Sequence, residues 1–401
     1  MSSLDDNLVA IALACCLKVK TRKRKIWSKH WLRKRQKYSH VNLMKELALE
    51  KDDWFNYMQM DHDTYLELLS QVSPLIEKKD TCMREAISPH ERLSATLRFL
   101  ATGRTYSDLK FTTIISQPSL SAIIPETCAA IYKCLGPKYL KFPSTQHEWE
   151  EIAKEFERVW NFPHCVGAVD GKHVKIVPPP ESGSFYYNYK GFHSMVLMGI
   201  ANAKYEFILC DFGINGRISD GGVINRTTFY DKLCKGHLNL PQENKIEGSE
   251  KVLPYVFIGN EAFAMRTDFL TPFSQKDLSY ERRIFNYRLS RARRIIENVF
   301  GILVSRFRIF QTAINLLPRN TKNVVLACCA LHNFLRAKCI RYSIPDESDE
   351  QAEDNMSQVE QSLAGLQRGT MRNTPNAAKK VRDTFMNYFN NEGKVAWQDN
   401  V

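Results

Sequence analysis

From about residue 42 to 150 the apolar positions recur at helical spacing: Leu43, Leu47 and Leu49 lead into Trp54, Phe55, Tyr65, Leu66 and Leu69 at intervals near three and four. Strand-like alternation is scarce, so a mostly helical domain is expected over 42–150. Ser88-Pro89-His90-Glu91 has the form of a capping box with proline at the first helical position; Leu93, Leu97 and Leu100 follow on one face up to Gly103. A short helical segment at 106–111, a turn near Thr113 and a new start at Ser116 running into Leu120, Ile123 and Ile124 complete a helix-turn-helix-like outline. The second helix of that unit is poor in Arg and Lys, which argues against strong base readout.

The period changes at Pro163. Apolar runs at 164–169 and 174–177 flank Asp170-Gly171, further strands are expected at 194–201 and 205–211, and 217–222 is a turn cluster. After a helical piece at 227–233 and a polar loop, 252–258 has buried-strand character and ends at Gly259-Asn260. Long helices are expected at 280–307 and 323–337. Meander, helix, strand and helices are the order of an RNase H-like α/β domain, here spanning about 159–337. No repeat with a period of 20–50 residues is visible, which excludes solenoids and propellers.

Length and charge refine this division. At 401 residues and 44% hydrophobic, the chain supports two or three globular units. The formal net charge of +12 is concentrated: residues 18–37 hold eleven Lys/Arg and no acid, leaving 45 basic against 44 acidic residues elsewhere. This basic segment, within 1–41, interleaves Trp27, Trp31 and Leu32 with Lys20, Arg22, Lys23, Arg24, Lys25, Arg33, Lys34 and Arg35. It reads as a nuclear-import or phosphate-binding segment, with nucleus, and also cytoplasm, as the expected compartments. Residues 345–366 carry seven acids and no base and read as a disordered linker; a helix at 377–389, in a C-terminal unit at 375–392, follows. Eleven cysteines include no CxxC pair, which points to a reducing compartment. The apolar run 8–17 is preceded by acids and followed by lysines, the reverse of a secretory signal, and is too short to span a bilayer. It is expected to form a short helix, and no membrane partner is expected.

Cleavage of a phosphodiester by two divalent ions needs carboxylates converging from separate elements. Candidates are Asp170 at a strand end, Asp220 in the turn cluster and Glu297 on the long helix. On that helix Phe285, Leu289, Ala292, Ile296, Val299 and Leu303 form the core stripe, and Asn286, Ser290, Arg293, Glu297 and Gly301 the neighbouring one. Glu297 therefore sits at the edge of the buried face. Arg282, Arg283, Arg288, Arg291, Arg293 and Arg294 crowd the same helix, and Arg288 and Arg293 in particular read as a phosphate-binding flank. His173, His193 and His332 lie in apolar or strand contexts and read as core histidines rather than metal ligands.

The blocks Val-Gly-Ala-Val-Asp170-Gly-Lys-His, Tyr-Lys-Gly-Phe-His193-Ser, Ser-Asp220-Gly-Gly, Phe-Asn286-Tyr-Arg-Leu-Ser-Arg-Ala-Arg293, Ile-Glu297-Asn-Val-Phe-Gly and Ala-Leu-His332-Asn-Phe-Leu occur in order. Together they resemble the DDE domain of PIF/Harbinger transposases and their domesticated nuclease relatives. The resemblance implies an RNase H-like DDE nuclease domain using Mg²⁺ or Mn²⁺, DNA as substrate and a separate Myb-like DNA-binding partner. It carries the metal acids onto Asp170, Asp220 and Glu297, and the remaining catalytic aspartate onto Asn260. That is a departure: an amide oxygen brings no charge and bridges two cations poorly. Losing even ~4 kcal/mol of metal-centred transition-state stabilisation costs roughly three decades of rate.

Three functions follow: a nuclear, DNA-associated transposase descendant with reduced cleavage and a weak metal site, an active metal-dependent endonuclease, and a protein-binding adaptor on the same scaffold. Asn260 separates the first from the second, and the basic segment separates the first from the third. If about six side chains of residues 18–37 meet phosphates, log K against log salt on duplex DNA should slope near about −5, since ~0.9 counterions are released per contact. Anisotropy titrations of the full chain against a chain lacking 18–37 should show most of that slope vanish. An unchanged slope refutes the assignment.

Overall fold

A computed structural model describes residues 29–82, 85–218, 220–274, 278–338, 364–365 and 375–400. The expected helix at 8–17, most of the acidic linker, and Lys20, Arg22, Lys23, Arg24 and Lys25 lie outside the described residues.

Local caps set the helices of the amino-terminal region. α1 (His40–Leu47) starts at Ser39, α2 (Lys51–Met58) follows, and α3 (His62–Ile76) starts at Asp61, whose carboxylate accepts from the Thr64 amide. α4 (Pro89–Thr102) opens on the reciprocal Ser88–Glu91 capping box and ends at Gly103, which takes the left-handed conformation. α5 (Tyr106–Thr113) and α6 (Gln117–Tyr139) complete the predicted trio, and α7 (Gln146–Trp160) opens on a second capping box, Thr145 with Glu148. Each cap contributes about 1 kcal/mol. The expected leucine stripe on α1 is displaced: Leu43 and Leu49 are exposed, and Met44 takes the buried position.

The second half is built on a mixed sheet. β1 (Cys165–Lys175), β2 (Ser194–Ala201) and β3 (Phe207–Asn215) form an antiparallel meander. α8 (Asp220–Ile224) and α9 (Thr228–Cys234) lead to β4 (Val256–Ile258) and β5 (Phe269–Leu270), which extend the sheet parallel to β1 in the order β3-β2-β1-β4-β5. α10 (Tyr280–Arg306), α11 (Pro318–Lys338) and α12 (Asn376–Asn390) follow, and a two-residue strand, β6 (Ala364–Gly365), pairs with β1 at Lys172 and His173.

Two expectations about strands are corrected. Asp170-Gly171 is not a break: β1 runs straight through it, with Asp170 opposite Gly199 and Gly171 opposite Met198, so Asp170 lies mid-strand. Full pairing with β2 overrides the turn preference of the dipeptide. The apolar run 252–258 is in fact split, because Pro254 has no amide hydrogen for a ladder. Val252–Leu253 joins a separate two-stranded ribbon with Asn244–Lys245, and only Val256–Ile258 enters the main sheet.

The sheet is packed on both faces. Val166, Val169, Val196, Met198 and Ile200 meet Trp149 of α7 and Phe229 of α9, whereas Ala168, Val174, Leu197 and Ala201 meet α10 and α11. Gly199 is what lets α10 approach: a Cβ there would lie 3.1 Å from Phe300 and 3.3 Å from Ile296. The helical region does not form a core of its own; its buried side chains run continuously into those of α10 and α11. Asn333 of α11 ties the two halves. Its carbonyl accepts from the Phe207 amide at 2.9 Å, and its amide donates to the Phe207 oxygen at 2.8 Å and to the Tyr139 oxygen at the end of α6 at 2.7 Å. Next to it His332 bonds the Tyr205 oxygen through Nε2 at 2.8 Å, and burial pushes its pKa down to about 3, so it is a neutral donor.

Asn333→Ala removes three hydrogen bonds at a 2% exposed position and strands a strand amide and two carbonyls. The expected cost is about 2–4 kcal/mol. Urea unfolding should register it as a lower midpoint, with Arg294→Ala, an exposed site, as the near-silent control. Equal midpoints for the two variants contradict the role.

Candidate active site

Strand geometry gathers the site. Residues two apart on β1 share a face, so Asp170 and Lys172 both look toward the α10 side, as does the Cβ position of Gly199 opposite Asp170. The parallel register pairs Ala168 with Ile258, which brings residue 260 level with Asp170 just beyond the end of β4. Gly259 permits that exit, since a Cβ there would come within 2.8 Å of Phe263 and Phe269.

Asp170 is 2% exposed, and both of its oxygens have partners. Asn260 Nδ2 donates to Oδ1 at 3.2 Å, and Lys172 Nζ lies 3.4 Å from Oδ2. The orientation of the Asn260 amide is fixed from its other side: its oxygen accepts from the Ala262 backbone amide at 2.9 Å, and a backbone N–H can only donate. The NH₂ group must therefore face Asp170. Lys172 reaches across the same face, 6.0 Å from the centroid of the Phe300 ring on α10. A buried carboxylate is held here by an ammonium and an amide, one positive charge against one negative.

Glu297 lies next to Ile296, which packs over Gly199, so α10 brings it to the face of the sheet that carries Asp170. Its carboxylate is held by Arg293 one turn earlier, at 2.6 Å. Asp220 opens α8 after the turn that follows β3, and its side chain lies outside the described residues. The structure thus joins Asp170 and Asn260 directly, sets Glu297 on the facing helix and leaves the carboxylate of Asp220 undefined.

The basic candidates divide. Arg288 does not belong to a phosphate flank: it is 2% exposed, and its guanidinium donates to the Gly393 oxygen at 3.1 Å, to Gln398 Oε1 at 2.9 Å and to the Asn161 oxygen, while it stacks over Phe389 and Trp397. It is the anchor on which the carboxy-terminal helix α12 docks, and Phe389 completes the dock against Phe162. Arg293 is committed to Glu297. Arg35 is likewise internal in its bonding, to Glu91 at 3.1 Å and the Ala86 oxygen at 3.0 Å, whereas Arg33 and Lys34 are exposed in a short 3₁₀ turn. Arg282, Arg283 and Arg294 remain on the surface of α10. His173, on the opposite face of β1 from Asp170, bonds Ser194 Oγ through Nδ1 at 2.9 Å, and burial lowers its pKa to about 4. His193 packs edge-on to Tyr187.

Sequence reasoning passed over Lys172 and Asn333, although both stand in the quoted blocks. The signal for Lys172 was its i+2 position from a candidate metal acid on a strand. Asn333 carries no such local signal.

Comparison with known proteins places this geometry. Residues 169–333 match the family model for the DDE superfamily endonuclease. The chain carries a DDE superfamily endonuclease domain. Similar proteins include Bos taurus and Homo sapiens proteins named "Putative nuclease HARBI1", each 25% identical over 259 residues, covering 64% of this chain and 70% of theirs. An Arabidopsis thaliana protein named "Protein ALP1-like" is 27% identical over 257 residues, 62% of this chain and 61% of its own. The resemblance to Harbinger-type transposase-derived nucleases read from the motifs therefore holds. The meander followed by two parallel strands is consistent with the RNase H-like fold of DDE domains. No solved structure matches.

DDE superfamily endonucleases generally use divalent metals, and the fit of such ions to this DDE domain can be judged from its donors. An ammonium stands 3.4 Å from one oxygen of Asp170 and an amide N–H group faces the other. Cations would be repelled by the first and offered no lone pair by the second. Among the described residues no group of three or more His, Cys, Asp or Glu is arranged to hold a metal. Asp170, Asn260 and Glu297 as they stand do not fit a two-metal centre.

Asn260→Asp should change that balance. A carboxylate at 260 puts like charges about 3.2 Å apart where an amide bond now stands, so the apo variant should melt below wild type. Added Mg²⁺ should then raise its melting temperature more than that of wild type, by linkage to the folded state. Equal metal-induced shifts in the two proteins refute the placing of position 260 in the site.

Proposed function

We propose that this protein is a nuclear, DNA-associated descendant of Harbinger-type transposases whose DDE domain binds DNA and cleaves it at a rate near background. One observation carries the reading: the Asn260 amide, held by the Ala262 backbone, donates to Asp170 in the position assigned to a catalytic aspartate. The site is neutralised by protein groups, Lys172 and Asn260, in place of ions shared between carboxylates. The basic segment 18–37 supplies non-specific affinity and nuclear import. Exposed Arg282, Arg283 and Arg294 on α10, with Arg33 and Lys34 ahead of α1, extend the basic surface. The α4–α5–α6 helices form the helix-turn-helix-like unit, and a Myb-like DNA-binding partner, implied by the resemblance, supplies sequence recognition.

Within the site, Lys172 and Asn260 engage both oxygens of Asp170, so neither oxygen is free to hold a cation or to orient a water for attack on a phosphodiester. Supercoiled-plasmid nicking with Mn²⁺ should stay within about tenfold of the protein-free rate, and Asp170→Ala should leave it unchanged. Robust Mn²⁺-dependent nicking that disappears in Asp170→Ala establishes the active-endonuclease reading instead. Absence of any DNA affinity in the full chain leaves the adaptor reading.

A further inference from the structure

The loop joining β1 to β2 presents an aromatic face that the site does not use. Phe185, Tyr187 and Tyr189 are 53%, 48% and 47% exposed, at alternate positions within five residues. The intervening Asn188 turns inward and is 3% exposed. That alternation is built in. Asn188 Oδ1 accepts from the Lys190 and Phe192 amides, and its Nδ2 donates to the buried Ser194 Oγ at 2.9 Å. Backbone bonds from Asn188 to the Phe192 oxygen and from Ser194 to the Tyr186 oxygen close the loop on itself. Three large rings are thus held outward by a hydrogen-bonded frame, where a soluble surface would otherwise cover or omit them.

Cations lie along the loop. Lys190 lies 5.7 Å from the Tyr189 ring centroid, Lys175 lies 5.4 Å from that of Phe192, and the Arg217 guanidinium reaches Ser184 Oγ at 3.5 Å. The only acid in the loop is Glu181. Arg217 belongs to the turn that leads to Asp220, and the loop begins five residues along β1 from Asp170, roughly 17 Å at the strand rise. Rings alternating with amines and a guanidinium match the chemistry of single-stranded nucleic acid, whose bases stack and whose phosphates need cations.

We propose that this loop is a binding platform for single-stranded DNA, with unpaired bases stacking on Phe185, Tyr187 and Tyr189 and phosphates meeting Lys190 and Arg217. The proposal rests on the DNA-binding reading and deepens it by naming the unpaired strand as the form that this loop holds. A paired duplex, whose bases are already stacked on one another, cannot use the rings.

The test uses the full chain and two fluorescein-labelled probes, an oligothymidylate and a duplex of equal length, read by anisotropy. The triple variant Phe185→Ala, Tyr187→Ala, Tyr189→Ala should lose about tenfold or more in single-strand affinity and less than about twofold in duplex affinity. Tyr187→Phe with Tyr189→Phe should retain single-strand binding, and Lys190→Ala should lower the salt slope on the oligothymidylate by about 0.7. Because the triple variant can fail to fold, wild type is also photocrosslinked to an oligonucleotide carrying 5-iododeoxyuridine, with adducts expected at 185–189. Equal losses on both probes, no loss on either, or adducts confined to other segments overturn the platform while leaving DNA binding intact. A wild-type chain that binds neither probe overturns both the platform and the DNA-binding reading.

Discussion

A carboxylate buried in the middle of a sheet is costly unless something answers its charge, and Asp170 imposes that condition on everything near it. Three solutions exist in principle: protonation, metal ions, or protein donors. This chain supplies protein donors. Lys172 comes from two residues along the same strand and Asn260 from just beyond the end of the neighbouring parallel strand, so one partner is local and the other is brought by sheet register. Removing Lys172 leaves the buried carboxylate without its ion-pair partner, which costs several kcal/mol, whereas removing Asn260 takes away one hydrogen bond to a charged group. Both oxygens of Asp170 are thus met by protein groups, one charged and one neutral.

Around the carboxylate the packing is organised to bring α10 close. Gly199 opposite Asp170 leaves room for Ile296 and Phe300, and Glu297 arrives on the same helix with Arg293 already bound to it. The arginines of α10 serve two ends. Arg288 and Arg291 face Trp397 and draw the carboxy-terminal segment onto the body, while Arg282, Arg283 and Arg294 stay in solvent. A basic helix can thus be partly a structural dock, because a guanidinium with stacked rings and carbonyl acceptors tolerates burial far better than an ammonium.

The helical region is bound to the sheet through Asn333 of α11, which bonds the Tyr139 oxygen at the end of α6 and the backbone of Phe207 in β3, while its neighbour His332 bonds the turn before β3. Side-chain amides that replace ladder partners fix distance and orientation together. The helical region is therefore carried on the same core as the DDE domain.

Much of this was legible along the chain. Helix starts at Ser88 and Ser116, the core stripe from Phe285 to Leu303 and the strand at 194–201 all follow from periodicity and caps, because those signals are local; the departure at Asn260 is read from the family resemblance. The sequence by itself determined which residue types stand at the candidate site, an amide at position 260 among them. Tertiary structure alone decided what the amide does. Its direction depends on the Ala262 backbone and on the register that brings β4 beside β1, and neither has a signature in spacing. The same holds for Arg288 and Arg293, identical in type and close in sequence. One is buried under Phe389 and Trp397, contributed by a segment about a hundred residues away, and the other is half-buried and paired with Glu297, because burial is set by what folds over a side chain and not by the side chain itself.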